Sequence, residues 1–436
     1  MEWIETTVGE FCPFSYGKSL PQSKRIEGNY PVYGSNGIVG FHKEPNIKSH
    51  GIIIGRKGSI GEIHLSLTPF WAIDTSFYTV KESLPELKFT YYLLKTLGLN
   101  TMNSDSAVPG LNRDNAHSIK IKIPKLQSDR EKIAEFLSTF DQKITLNTQT
   151  NQTLEQIAQA IFKHWFIDFA PVHAKANALV RGETIEQAEL VAMACLSGKT
   201  VEKITALKTE DPTAYHQLQQ TARAFPSEFV ESEMGLVPKG WEQTTLSQIC
   251  EMKNGYAFKS KEWTNDGVPV IKIGSVKPML IELDGGSFVA LENKKLRADF
   301  LAQEGDILVG LTGYVGEVGR MPYQEKAMIN QRVAKFIPKE ITKNTPYYGF
   351  IYCLTRQKEF KTFAEMNAKG SAQANISTKE ILSYPITIAT KEIHIAFENN
   401  VKSLLDKIIV NSGENSSLTK TRDELLPKLL NGEVEL

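Results

Sequence analysis

Apolar side chains recur at spacings of four and three in two stretches of the chain. The first runs Ile133, Leu137, Phe140, Ile144, Asn147, Asn151, Leu154, Ile161 and Trp165. The second runs Phe397, Val401, Leu404, Ile408, Asn411, Asn415, Leu418, Leu425 and Leu429, 264 positions further on. This period lays one apolar stripe along an α-helix, and a stripe so long needs a partner helix. Each copy places two asparagines in the middle of its stripe. Buried polar residues at such a seam cost stability but fix register, which predicts that the two helices pack on each other, antiparallel if the repeats obey a two-fold axis. Ser128-Asp129-Arg130-Glu131 has the form of a capping box, so the first helix is expected from Ser128 to about Phe166. Pro427 and Asn431-Gly432 are expected to end the second, and Gly413, worth roughly 1 kcal/mol against Ala, to bend it.

Ahead of each helix the pattern changes to short strands and turns. Gly51-Ile52-Ile53-Ile54-Gly55 and Asp306-Ile307-Leu308-Val309-Gly310 are runs of the buried-strand kind. Residues 118–124 alternate like a half-buried strand that ends at Pro124. Helical stretches near Leu87–Leu97 and Pro346–Thr355 make the class α+β. The strand blocks repeat as well. Trp3-Ile4-Glu5-Thr6-Thr7 returns as Trp241-Glu242-Gln243-Thr244-Thr245, and Pro31-Val32 as Pro269-Val270. Residues 55–62 (GRKGSIGE) return as 310–317 (GLTGYVGE), Tyr91-Tyr92 as Tyr347-Tyr348, and Ser106-Ala107 as Ser371-Ala372. The offset grows from 238 to 265 only between these islands, as insertions in surface loops would make it. A period above 200 residues means duplicated domains. The reading is therefore two duplicated domains, residues 1–125 and 236–392, and two long helices, 126–170 and 393–436. An acidic insert and linker at 171–235 holds helices near Thr184–Ser197 and Asp211–Ala224.

A chain of 436 residues is too long for one core, and no run nears the roughly 18 apolar residues of a membrane helix. The opening residues lack a basic and then apolar leader, so a cytosolic location is expected. The net charge of zero hides a segregation: 14 basic against 11 acidic residues in 1–125 and 21 against 17 in 236–392, with acidic excess elsewhere. Four cysteines at least 55 residues apart offer no Cys-x-x-Cys pair, and the eight histidines fall at no metal-ligand spacing. Neither a Gly-x-x-x-x-Gly-Lys phosphate loop nor a Gly-x-Gly cofactor turn occurs. Asp211-Pro212-Thr213-Ala214-Tyr215 lacks the second proline of an amino-methyltransferase signature, and Glu86-Leu87-Lys88 and Glu251-Met252-Lys253 are only half of a nuclease motif. No catalytic residue, metal or cofactor is therefore expected on this chain.

The blocks offer instead polar, basic and glycine-rich loops carried by strands. In the first copy these are Lys24, Arg25, Ser35, Asn36, Arg56, Lys57, Ser59, Asn112, Arg113 and Asn115. In the second they are Lys253, Asn254, Tyr256, Thr312, Tyr314, Asn330, Gln331, Arg332, Ser371, Gln373 and Asn375. Arg, Lys, Asn and Gln can bond bidentately to purine edges in the major groove, and glycine lets the backbone approach phosphates. Matched positions with different side chains suggest two readers of two different DNA sequences.

At these residues the chain resembles the specificity subunits of type I restriction-modification enzymes, over nearly its whole length. The strings that carry the likeness are 31–37 (PVYGSNG), 56–61 (RKGSIG), 159–169 (QAIFKHWFIDF), 225–229 (FPSEF) with 237–241 (VPKGW), and 421–432 (TRDELLPKLLNG). The resemblance implies a non-catalytic subunit that recognises a bipartite, asymmetric site in double-stranded DNA through two target recognition domains, with the paired helices setting the gap. It implies as partners two methylation subunits and restriction subunits, with S-adenosylmethionine, ATP and magnesium bound there and not here. The insert at 172–224 matches the pattern least. Two other readings stay open from the residues: a stand-alone duplicated DNA-binding regulator, which would need no methylation subunit, and an enzyme, which would show cofactor-dependent turnover.

Overall fold

A computed structural model describes residues 1–102, 110–232, 235–283, 286–290, 300–370 and 373–436. It divides into two compact units, Met1–Leu146 with Asn415–Leu436, and Asn147–Glu414. The architecture is α+β, and each unit repeats one plan.

In the first unit, Trp3–Thr7 pairs antiparallel with Lys120–Pro124. A four-stranded antiparallel sheet has the order Ser15–Tyr16, Ser76–Thr79, Gly51–Gly55 and Ile63–Ser66. A three-stranded sheet joins Gly37–His42, Tyr30–Gly34 and Trp71–Ala72, the last pair parallel. Gly51–Gly55 is buried throughout, as a central strand of continuous apolar character should be. The helix Leu84–Thr96 covers this sheet, and its core merges Ile52, Ile54, Phe77 and Leu93 with Ile133 and Leu137 of the first long helix and Leu426, Leu429 and Leu430 of the second. Tyr92 and Arg422 both bond Asp141, so the two helices meet here as well.

The second unit restates this plan. Glu242–Thr245 pairs with Pro385–Ile388. The order Cys250–Asn254, Val333–Pro338, Ile307–Gly310, Val318–Arg320 repeats that of the first unit's four strands, with Met279–Leu280 added at the edge. Val270 pairs in parallel with Met328 as Val32 does with Trp71. The core gathers Phe162, Phe166, Phe350 and Phe397, whose ring centroids lie 4.9–6.0 Å apart, mostly edge to face. Such contacts contribute about 0.5–1.5 kcal/mol each beyond area burial.

The long helices are Gln127–Phe162, continued by a π-helical turn Lys163–Ile167, and Lys391–Leu430. They pack antiparallel: Asn411 donates to Asn151 at 2.8 Å and Asn147 to Glu414 at 3.0 Å. Two local expectations are corrected. The first helix begins at Gln127, which puts Ser128 inside its first turn; Glu131 instead accepts from Ser83, the N-cap of Leu84–Thr96. Pro427 lies inside the second helix, which ends at Leu430 ahead of Gly432 at φ 79°. The helix is continuous through Gly413, and the Tyr323 ring rests against that glycine. A Cβ would stand 2.3 Å from that ring, and Tyr323 N–H donates to Ser412 Oγ at 3.1 Å. The insert contains four helices, Ala170–Val180, Ile185–Ser197, Val201–Glu210 and Pro212–Ala224, around Met193, Ile204 and Tyr215. The buried Lys175 ammonium holds the end of the last one, donating to the carbonyls of Ala222 (3.2 Å) and Phe225 (2.5 Å).

Candidate nucleic-acid interface

The loop glycines of the two copies build one backbone frame twice. In the first, Gly55 N–H donates to Glu62 O and Gly61 N–H to Gly55 O; in the second, Gly310 bonds Glu317 and Gly316 bonds Gly310 in the same way. Gly58 and Gly313 both take φ 78°, a region costly for residues with a Cβ. Arg56 N–H donates to Thr75 O where Leu311 N–H donates to Arg332 O. Arg56 O then accepts from Leu111 N–H, and Leu311 O from Ile376 N–H, each at 2.9 Å. Isolated bridges close the frame, Lys57 with Gly110 and Thr312 with Asn375. One step away, Tyr16 pairs with Phe77 where Asn254 pairs with Ala334.

Different side chains stand on these matched positions. The first copy brings together Arg56, Lys57, Asn112 and Arg113 around a pocket of about 200 Å³ that Tyr16 also lines. Tyr16 is 50% exposed, and both guanidinium carbons lie 5.0 Å from its ring centroid. Arg56 Nη1 donates to Asp74 O at 3.0 Å, and Asp114 pairs with Arg113 at 3.5 Å. Burial, and next the positive charge of Arg113, hold His117 below the usual imidazole range. This ring accepts from Phe14 N–H at 2.8 Å, a bond that the neutral form preserves. In the second copy, Leu311 and Thr378 occupy the places of Arg56 and Arg113. Lys369 is paired there with Glu380 at 2.7 Å, which together with Ser377 pulls that exposed carboxyl down to about 2. Tyr314, 67% exposed, and the exposed Gln373 and Asn375 face solvent beside Thr312.

Several sequence-selected residues are engaged within the fold. Ser35 is buried and bonds Thr75 O, Asn330 is buried and caps Arg332 N–H, and Thr312 donates to Asn375 Oδ1 at 2.6 Å. Asn112 caps the turn that carries Asp114 and Asn115. Arg25 ties the carbonyls of Val39 (2.6 Å) and Leu20 (3.4 Å) together, and Ser59 O abuts Gly55. Tyr256 packs on Phe258 and Phe300. Lys24, Asn36, Lys57, Asn115, Lys253, Asn254, Gln331 and Arg332 are exposed. Ser371 lies outside the described residues. Sequence reasoning misses Tyr16; the one signal for it is its place directly before Gly17, which matches Asn254-Gly255 at the 238 offset. Among the described residues no group of three or more His, Cys, Asp or Glu could hold a metal ion, and no helix is long and apolar enough to cross a membrane.

Two segments, residues 1–156 and 238–411, match the family model of the type I restriction modification DNA specificity domain. The chain belongs to the type I restriction-modification specificity subunits. The HindI specificity subunit of Haemophilus influenzae is 34% identical over 380 residues, covering 84% of this chain and 81% of that protein. The MjaVIII specificity subunit of Methanocaldococcus jannaschii is 22% identical over 457 residues, covering 100% and 93%. The solved S subunit from M. genitalium shares the fold, with a TM-score of 0.51 at 19% identity over 99% of this chain and 96% of that one. Specificity subunits of this family supply DNA target recognition within a larger complex, and the enzymatic activities reside on other subunits. Residues 157–237, which include the insert, fall outside the matched segments.

Proposed function

We propose that this specificity subunit reads a bipartite, asymmetric site in double-stranded DNA, one half through residues 1–125 and the other through 236–392. It assembles with two methylation subunits, which bind S-adenosylmethionine and modify adenine, and recruits restriction subunits that use ATP and magnesium, all in the cytoplasm. The observation that supports this reading is the loop frame built twice from the same backbone bonds and filled with different side chains. Contacts shared by every site, those to phosphate and sugar, call for a common frame, whereas base edges call for differing side chains. The exposed Arg, Lys, Asn and Gln on both frames are the residue types that reach base edges. One long helix follows each block in the sequence, and the helix pair would set the number of unspecified base pairs.

The test is a domain exchange. Residues 1–125 are replaced by the corresponding block of another specificity subunit, the complex is assembled with its methylation subunits, and the methylated sequence is determined genome-wide. One half of the recognised sequence should change and the other remain. A change in both halves, or in neither, would overturn the modular reading.

A further inference from the structure

We propose that Arg56 and Arg113, organised by the ring of Tyr16, are the guanine readers of the first half-site. The proposal rests on the reading of one half-site per domain and names the bases that this domain takes.

The pocket holds three cations, Arg56, Lys57 and Arg113, against one carboxylate, Asp114. Two guanidinium groups within 5.0 Å of one aromatic centroid are repelled by each other and attracted to the electron-rich ring face. Half of Tyr16 remains exposed, so the cluster opens to solvent. Arg56 is further fixed by its Nη1 bond to Asp74 O. That bond leaves Nε and Nη2, which form one edge of the fork, without a partner among the described residues. An edge of two parallel N–H donors matches O6 and N7 of guanine, and a stacked, tethered guanidinium loses little entropy in meeting them.

A phosphate clamp would use the same charge, and the duplication decides between the two. Phosphates are common to both half-sites, so a clamp built on this frame belongs in both copies. The second copy has Asn254, Leu311 and Thr378 at the places of Tyr16, Arg56 and Arg113, and its nearby Lys369 is already paired with Glu380. Charge therefore differs at two of these three places, and the side chain at all three, while the backbone holding them does not. That is the behaviour of residues that carry sequence information.

The experiment uses the complete methylation complex and duplexes carrying its recognised sequence. Arg56→Ala and Arg113→Ala should each slow methylation roughly 5- to 150-fold and relax selection at one guanine of the first half-site, leaving the second half-site unchanged. Replacing that guanine by 7-deazaguanine removes N7 but keeps the base pair. It should slow the parent by a similar factor and slow the matching arginine variant no further. Tyr16→Ala should resemble the arginine variants, while Tyr16→Phe, which keeps the ring, should resemble the parent. A first half-site without guanine overturns the proposal. So does an equal loss on all sequences with a shallower salt dependence, which is the mark of phosphate contacts, and so does equal tolerance of 7-deazaguanine by parent and variants. Loss of selection in both half-sites would instead overturn the modular reading beneath it.

Discussion

The asparagine pair at the helix seam gives a quantitative test of how the scaffold is specified. Asn151 and Asn411 are 2% and 1% exposed. Asn411 Nδ2 donates to Asn151 Oδ1 at 2.8 Å, Asn151 Nδ2 donates to Ile408 O at 3.4 Å, and Asn411 Oδ1 is buried with no partner among the described residues. Asn151→Leu removes both bonds and leaves the whole Asn411 amide unpaired, so it should cost the most, about 3 kcal/mol, near the upper range for a buried unsatisfied group. Asn411→Leu removes one bond but also removes the orphaned oxygen, so about 1–2 kcal/mol is expected. The double leucine variant leaves no amide behind and is close in volume, so it should fall within about 1 kcal/mol of the parent. The cycle therefore predicts a coupling of roughly 3–6 kcal/mol, at or above the upper end for residues in contact. Urea midpoints at constant m-value for the parent, both single variants and the double variant measure it. Additive losses, or an Asn411→Leu variant less stable than Asn151→Leu, would refute the reasoning. The seam amides also fix register, so the double variant should methylate sites with more than one spacer length even though it is stable.

Two further outcomes follow from the second unit and the seam. Burial pushes the Glu398 carboxyl up to about 7 against the backbone N–H donors of Phe350 and Gly349, while burial alone pushes His394 down to about 3. Stability from Glu398 is full below about 4.5 and lost as pH rises through 7; stability from His394 is full above about 6.5 and lost as pH falls toward 3. The two slopes oppose each other between 4.5 and 6.5, so urea midpoints at pH 5 and 7.5 should be similar in the parent. They should drop at pH 5 in Glu398→Gln and rise at pH 5 in His394→Gln; equal midpoints in all three proteins would contradict the assignment. The second outcome concerns the spacer. Because the helices are paired, four residues must be inserted in both, after Gln149 and after Gly413, to keep every seam bond. Each insertion adds roughly 40° and 6 Å along a helix of about 3.6 residues per turn. One base pair adds about 35° and 3.4 Å. A spacer longer by one base pair is expected in the methylated sequence, with both half-sites kept; an unchanged spacer in an active complex would show that the helices do not set it.

Elements with strong periodicity are legible in the amino-acid sequence alone. The seam from Ile133 to Trp165, the runs at Gly51–Gly55 and Ile307–Gly310, and the duplication all rest on patterns in which many residues agree. Single-residue signals are weaker wherever a tertiary partner competes for the group. Glu131 leaves its capping box for Ser83, and Pro427 is accommodated inside a helix already held by packing of Leu426, Leu429 and Leu430. Short polar residues beside glycine loops are hardest to assign. Ser35, Asn112, Thr312 and Asn330 have the composition of DNA readers, yet their oxygens hold turns and strands, as such side chains do in tight loops. Tyr16 is hidden for the opposite reason. It lies 40 positions before Arg56 and 97 before Arg113, and the three meet through the pairing of Tyr16 with Phe77 and the bond of Leu111 N–H to Arg56 O.

The distribution of constraint over the frame follows from these contacts. Gly55 cannot carry a side chain, since a Cβ would lie 2.0 Å from Ser59 O, and Gly310 meets Tyr314 O at 2.5 Å in the same way. Gly61 is hemmed in by Leu99 at 2.2 Å and Gly316 by Ala364 at 2.9 Å. Substitution at Gly55 or Gly310 would force open its own loop, and at Gly61 or Gly316 would push against the helical segment packed on it. Positions 16, 56, 57 and 113, and likewise 254, 311, 312 and 378, attach to the frame through backbone bonds that any non-proline residue can make. Side chains at 16, 56, 57, 113, 254 and 378 can change charge, size and hydrogen-bonding edge at little cost to the fold, whereas Leu311 is buried in the core of its unit and Thr312 is held by Asn375. A frame fixed by glycine and backbone bonds and read through replaceable side chains allows one domain to acquire a new target while its duplicate keeps the old one.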